Sequence, residues 1–419
     1  MNLRTAIEQI KDEIVRIDVE LKHDEVVQFL KEKDLEKTPV LLNVEGKKVA
    51  KNFVATRDLL CKYLEVKRED LAKFLAKLNY ESAEIEICNE LPLKEKRSFD
   101  LFEDLPALKY FKDDGGRYIT AGVVIARYVD TDPNKPESFN ASIHRMMLID
   151  ERKLVARLVP PRHTYLMWKD AVERGKDLPI VIAIGVHPLV LFASATRVPE
   201  GMEFKYASAL MGGLKLYKIE DMLTPDAEII LLGRITGERA NEGPFVDITG
   251  TYDKVRKEPV IEVDAMFMRD DPIYYSITPA SSEHQVLMGI PYEPLIYRSV
   301  ANVCKVKNVI MTPGSRHYFH AIVQIKKETE GDAKNAIIAA LAANPSLKGV
   351  IVVDEDIDIY SYEDVEYAIA TRFQADEDFI IIKGARGSSL DPSAGDTTAK
   401  WGIDATKKLK RLKDFERVT

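Results

Sequence analysis

The sequence predicts a multidomain α+β protein: an N-terminal α/β domain, a central domain of antiparallel strands closing into a barrel, and a C-terminal α/β domain. Three observations predict it. The chain has 419 residues, more than one hydrophobic core ordinarily organises, so two or three domains are expected. Near residue 116 helical periodicity gives way to many short β-rich runs, and near residue 300 strand and helix begin to alternate. The expected divisions are therefore 1–115, 116–300 and 301–419.

The elements follow in order. Leu3, Ile7, Ile10, Ile14, Ile17 and Leu21 recur at three- and four-residue steps, which predicts one amphipathic helix reaching about residue 21. Pro39–Val44 reads as a short strand before a turn at Gly46, and helices are expected near 55–63 and 68–77. The polar stretch Lys112–Gly116 closes this domain. Short β-rich runs follow at Ile119–Tyr128, Arg145–Asp150, Lys153–Val159, Pro179–Ile184, Ile229–Ile235 and Pro259–Arg269. Turns such as Asp132-Pro133-Asn134 and Glu242-Gly243-Pro244 punctuate them. A barrel accounts for this spacing better than a doubly wound sheet. Two helices interrupt the pattern, around 163–174 and 187–196. In the last segment Phe319–Lys327, a helix capped by Asp332 and ending before Pro345, and Gly349–Val353 read as a βαβ unit with a parallel pair. The basic stretch Lys407–Lys413 interleaves Leu409, Leu412 and Phe415 and predicts a terminal helix with one packed face.

Composition excludes several functions. A chain 46% hydrophobic and 31% charged folds rather than staying disordered. Sixty basic against 68 acidic side chains give a net charge of −8, which does not suit a nucleic-acid backbone. Cys61, Cys88 and Cys304 are odd in number and scattered, so neither a disulfide framework nor a thiolate zinc site is expected. Without an apolar leader or a run of about 18–20 apolar residues, the sequence reads as a cytoplasmic protein with no membrane insertion.

Four clusters carry candidate chemistry, each with an ordinary counterpart. Asn140 to Arg145 enters a strand, where an Asn is usually turn chemistry. His163, after Pro160-Pro161-Arg162, opens a helix, where a lone histidine more often caps or packs than ligates. The stretch Asn241–Tyr252 sets Glu242 and Asp247 five residues apart around a Gly-Pro turn. That turn lets both carboxyls face one cavity, where mutual proximity or burial raises a carboxyl toward a proton-donating range; the bland counterpart is a solvated loop. Finally, Asp354, Asp356 and Asp358 resemble a calcium loop, but Ile359 and Val365 stand where an EF-hand needs glycine and glutamate. Acidic residues there remain candidates for a site or a subunit contact.

These clusters, in this order, resemble the UbiD family of reversible decarboxylases. The likeness includes Tyr118–Gly122, Asn140 with Arg145, Leu178–Gly185 followed by Pro188, Glu228–Leu231 and Glu242–Tyr252. It continues through Arg269 with Asp271-Pro272-Ile273, Asp354–Asp358 with Ala368 and Thr371-Arg372, and Leu390–Ser393. It spans the chain from about residue 38 onward.

The resemblance implies a central split β-barrel of flavin-reductase type between the two α/β domains, usually in a homo-oligomer. It implies prenylated FMN supplied by a partner flavin prenyltransferase, with the flavin phosphate held by a divalent metal, commonly Mn(II), together with K(I). Loss of carbon dioxide from an alkene or arene carbon leaves charge that no side chain delocalises, so a cofactor must accept it. Residue by residue, Arg145 matches the arginine that pairs with the substrate carboxylate. Glu242 matches the acid flanking it. Asp247 matches the proton-donating acid, as Asp where the family has Glu, one methylene shorter. Asn140 and His163 match two metal ligands. The third family ligand is a glutamate; the nearest match, Glu203, aligns about one residue out of register. Lys400 matches a phosphate contact by its place after Leu390–Ser393.

The compact, Lys/Glu-rich chain is similar to archaeal members, which are associated with decarboxylating trans-anhydromevalonate phosphate to isopentenyl phosphate. Such a substrate calls for an added positive group, and Arg162, His144 and Lys205 are the candidates. Aromatic acids such as 4-hydroxybenzoate or a polyprenyl-hydroxybenzoate are the alternative. A flavin reductase or carrier needs no acid–base triad, and an assembly protein with a decayed site predicts loss of Arg145, Glu242 or Asp247, all of which are present.

Overall fold

A computed structural model describes residues 1–418. Its contacts form two compact units, Met1–Leu64 with Asn79–His284, and Glu65–Leu78 with Gln285 onward.

The first unit opens with helix Leu3–Gln9, capped reciprocally: the Asn2 side chain accepts from the Thr5 N–H, and the Thr5 hydroxyl accepts from the Asn2 N–H. The expected helix to residue 21 is not formed. Val15–Leu21 is instead a strand, paired parallel with Val40–Val44. Ile17 and Leu21 suit either period, but Val15, Ile17 and Val19 alternate with Arg16, Asp18 and Glu20, and β-branched residues favour the pleated strand. Val40–Val44 turns at Gly46, where φ is +76°, into Lys47–Lys51, and Ile273–Tyr275 completes a four-stranded sheet.

The larger sheet of this unit has nine strands. In spatial order eight of them are Tyr118–Ile119, Met146–Asp150, Lys153–Ala156, Arg256–Met268, Ile229–Glu242, Leu178–Ile184, Val123–Arg127 and Phe139–Ile143. Lys94–Lys96 pairs additionally along Arg256–Met268, and every pairing is antiparallel. Alternate residues Ile180, Ile182 and Ile184 pack with Val124, Leu231, Ile261 and Met266 in the core. The strands do not close into a barrel. Tyr118–Ile119 and Phe139–Ile143 end the path, and among the described residues they do not pair with each other. One end strand is two residues long, and the other is packed by helices His163–Glu173, Pro188–Ala195 and Glu203–Met211.

The second unit carries a five-stranded sheet ordered Lys305–Met311, His320–Lys326, Gly349–Asp354, Thr398–Ala405 and Phe379–Ala385. Helix Asp332–Ala343 crosses between the parallel strands His320–Lys326 and Gly349–Asp354, which is the expected βαβ unit. Where a terminal helix is expected, the described residues form no α-helix. Leu409–Phe415 is a 3-10 run broken at Arg411, with Leu412 exposed; seven residues nucleate an α-helix poorly without a packed face. No helix among the described residues is long and apolar enough to cross a membrane.

Candidate active site

Arg145 stands in the break between Phe139–Ile143 and Met146–Asp150. Facing it, strand Ile229–Glu242 ends at Glu242. Gly243, at φ +94°, then reverses the chain, a conformation that glycine adopts without strain. The returning ribbon pairs Phe245 with Asp253 and Val246 with Tyr252, and Asp247 begins its tip. Glu242 grips the guanidinium twice: Arg145 Nε donates to Oε1 at 2.9 Å and Nη2 to Oε2 at 2.9 Å. Arg145 Nη1 donates to Asp247 Oδ2 at 3.2 Å, and Nη2 also donates to Asp253 Oδ2 at 2.9 Å. The Phe245 ring lies under the guanidinium at 4.9 Å, and the Tyr118 hydroxyl donates to Glu242 Oε1 at 3.3 Å.

Burial works against the Arg145 charge, but the surrounding carboxylates outweigh it, and the guanidinium pKa is raised. A guanidinium has five N–H groups. Glu242, Asp247 and Asp253 accept from four of them, leaving one N–H on Nη1 for an incoming group. That N–H lies beside Asp247. A buried cation with one free edge and a neighbouring carboxyl can hold an acid while placing a proton source next to it.

The turn is held from behind. Gly115 N–H donates to the Pro244 carbonyl at 2.8 Å, and a Cβ on Gly115 would collide with the Gly243 carbonyl. Gly115→Ala is therefore expected to push the turn outward, lowering kcat/KM by about tenfold to a hundredfold. Kinetics with a melting measurement check this, and a variant with unchanged kcat/KM contradicts it.

A second cluster lies on the elements packed against strand Phe139–Ile143. Asn140, within that strand, directs Oδ1 to His163 Nδ1 at 3.1 Å, while its amide group donates to Ser142 and Thr164. His163 and Glu203 each begin a helix, and Glu203 Oε1 lies 3.6 Å from His163 Nδ1. The Glu203 carboxylate raises the His163 imidazole, and burial raises Glu203. Glu203 Oε2 is buried without a hydrogen-bond partner. No group of three or more His, Cys, Asp or Glu with metal-binding geometry occurs among the described residues; here two such side chains meet an amide. Amide oxygen, imidazole and an unsatisfied carboxylate oxygen fit a divalent cation that takes its remaining ligands from phosphate or water.

Lys400 lies in the second unit, buried on strand Thr398–Ala405, and donates to the Pro345 carbonyl at 2.8 Å. Burial holds His144 down to about 4, so it is neutral near neutrality and cannot supply a positive group. Lys205 pairs with Glu137 at 3.1 Å. Arg162 is exposed, and no carboxylate pairs with it among the described residues. The acidic loop is neutralised inside its own unit: Arg372 holds Asp354 at 2.8 Å and grips Asp356 at 3.0 and 2.9 Å, with Lys407 on Asp356 at 2.7 Å.

Sequence reasoning missed two residues. Asp253 lies one position beyond the Asn241–Tyr252 cluster, and the signal for it was the hairpin register around Gly243-Pro244. His284 carries no local signal. It accepts from the Ala280 N–H at 3.0 Å; burial lowers its pKa, and the charges of Asp247 and Arg145 act on it.

With this geometry in place, comparisons identify the fold and its relatives. The model of the 3-octaprenyl-4-hydroxybenzoate carboxy-lyase Rift-related domain (UbiD) matches residues 81–282, and that of the C-terminal domain matches 285–405. The anhydromevalonate phosphate decarboxylase of Archaeoglobus fulgidus is 63% identical over 418 residues, covering 100% of this chain and 96% of that protein. The anhydromevalonate phosphate decarboxylase of Methanosarcina mazei is 48% identical over 425 residues, covering 100% and 99%. The UbiD-class enzyme HmfF from Pelotomaculum thermopropionicum, solved in complex with FMN, superposes with a TM-score of 0.94 at 35% identity, covering 100% of this chain and 97% of that one. An evolved dimeric form of HmfF in complex with prFMN gives 0.89 at 34% identity, covering 100% and 96%. Two family domains matched in tandem, full-length relatives and a shared mixed α/β fold have one meaning: the chain belongs to the UbiD family of decarboxylases.

Proposed function

We propose that this protein is a prenylated-FMN-dependent, non-oxidative decarboxylase that converts trans-anhydromevalonate 5-phosphate to isopentenyl phosphate, a step of mevalonate-type isoprenoid synthesis. The observation that carries the reaction is the Arg145 guanidinium with one N–H free beside Asp247. The relatives named anhydromevalonate phosphate decarboxylase favour the substrate. Arg162, a cation without a carboxylate partner among the described residues, adjoins His163 in sequence and is the group we assign to the substrate phosphate.

The modified flavin, when bound, supplies the electron sink that loss of carbon dioxide requires. The chain's own residues do the rest. Arg145 binds and orients the carboxylate, and Glu242 holds Arg145. Asp247 holds the proton that takes the place of carbon dioxide on the substrate carbon. Asn140, His163 and Glu203 would hold Mn(II), which with K(I) would neutralise the charge of the flavin phosphate. For Lys400 only the family pattern suggests a phosphate contact; within its own unit it donates to the Pro345 carbonyl. On this reading the chain divides as 1–115, 116–300 and 301–419, and the open antiparallel sheet of the middle part is the split barrel that holds the flavin. A flavin prenyltransferase supplies the cofactor, and the enzyme works as a cytoplasmic homo-oligomer.

The function is tested by product analysis of the cofactor-reconstituted protein with manganese and potassium, offered trans-anhydromevalonate phosphate beside 4-hydroxybenzoate. Isopentenyl phosphate is the expected product. Phenol moves the protein to aromatic acids, and neither product, with flavin bound, overturns the substrate assignment. The metal assignment has its own measurement. Glu203→Gln is expected to weaken Mn(II) binding at least about tenfold by calorimetric titration in the presence of FMN. Unchanged affinity removes Glu203 from the ligand set.

A further inference from the structure

We propose that Asp253 is a positioning residue: it clamps the Nη2 side of Arg145, so that an incoming carboxylate is received on the Nη1 edge, beside Asp247. The inference rests on the reading that Arg145 receives the substrate acid, and it adds a group outside the Arg145, Glu242 and Asp247 set.

Glu242 alone would leave Nη2 with a second N–H, and an acid could then bridge Nη1 and Nη2 in the forked geometry that guanidinium and carboxylate prefer. Asp253 Oδ2 takes that second N–H at 2.9 Å. Asp253 is itself fixed on both oxygens. Its Oδ1 accepts from the Lys254 N–H at 2.8 Å, and its Oδ2 also meets Arg256 Nη1 at 2.6 Å. It is largely buried, with its side chain 13% exposed, so water competes weakly for either contact.

The backbone explains why the clamp is rigid. Asp253 pairs directly across the ribbon with Phe245, whose ring supports the face of the same guanidinium at 4.9 Å. Phe245 therefore supports the plane of Arg145, and Asp253 together with the two bonds to Glu242 sets its rotation within that plane. Burial raises the Asp253 carboxyl, but hydrogen bonds from Arg256 and Arg145 outweigh this and hold it below the usual carboxylate range, so it remains an anionic acceptor near neutral pH.

Orientation matters because the breaking carbon–carboxyl bond must align with the π system that takes its electrons. A forked acid bound tightly in the wrong direction is held without reacting. Removing the clamp also removes one negative charge from the site. Asp253→Ala, which leaves no acceptor for the second N–H of Nη2, is therefore expected in the reconstituted holoenzyme to leave the KM for the acid unchanged or lower, while kcat falls at least about tenfold. Flavin absorbance and melting temperature should stay near wild type. Crystal structures of wild type and variant should show Arg145 rotated, or in two orientations, only in the variant. If the Ala variant does not fold, Asp253→Glu, which displaces the charge by one methylene, is expected to give the same split.

Wild-type kcat, or a raised KM with kcat intact, overturns the proposal, as does an unmoved Arg145 in the variant crystal. A wild-type enzyme with no turnover of anhydromevalonate phosphate defeats the substrate reading instead, and the crystallographic comparison then decides Asp253 by itself.

Discussion

Replacing Asp247 by Asn is expected to lower kcat by about 10²- to 10⁴-fold while leaving flavin binding nearly intact. The two side chains have the same shape, but only the acid carries a transferable proton. In the structure Asp247 Oδ1 accepts from the Ile248 N–H at 2.6 Å, and Oδ2 accepts from Arg145 Nη1 at 3.2 Å. The amide keeps one of these contacts and loses the other. Arg145 remains gripped by Glu242 and Asp253, so the cluster survives the change. Steady-state kinetics of the reconstituted enzyme, with flavin absorbance as the control for binding, check the prediction. Full activity in Asp247→Asn would remove Asp247 as the proton source.

Arg145→Met is expected to abolish turnover and to destabilise the fold by about 3–5 kcal/mol, the range for stranding a buried charge whose partner is removed. Glu242 is fully buried, and Asp247 and Asp253 are largely so; the variant leaves all three carboxylates facing a thioether. The effect has a pH signature. Asp253 has a folded pKa below its ordinary value, so its contribution is present above the unfolded pKa and is lost as pH falls through the folded one. The wild-type advantage over Arg145→Met should thus be largest near pH 7 and shrink below about pH 4, where carboxyls protonate. Denaturant unfolding at the two pH values measures this. An equal deficit at both would mean that stranded charge is not the cause.

Much of the fold was legible because its signals are local. The β-rich runs from Ile119 to Arg269, the helices near 163 and 188, and the βαβ unit around Asp332 are written in periodicity and turn residues, and each is found where expected. The spacing of Asn140 from Arg145 and of Glu242 from Asp247 was equally plain. Other features were decided by partners distant in the chain. Val15–Leu21 is a strand because Val40–Val44 offers a parallel neighbour, which a helical reading of Ile14, Ile17 and Leu21 does not contain. Closure of the sheet depended on whether its two end strands pair, and no local pattern states that.

The candidate site divides the same way. The sequence by itself determined the chemistry available: an arginine, carboxylates on a Gly-Pro turn, and an amide, a histidine and a glutamate about one residue out of register with the family. Only the tertiary structure decided their company. It folds Glu242 back on Arg145 across 97 residues, brings Glu203 within 3.6 Å of His163, and adds Asp253 as a third carboxylate on the guanidinium. The reason is physical. Backbone conformation is set largely by neighbours a few residues away, whereas a buried charge is stable only where groups distant in sequence converge to satisfy every donor it carries.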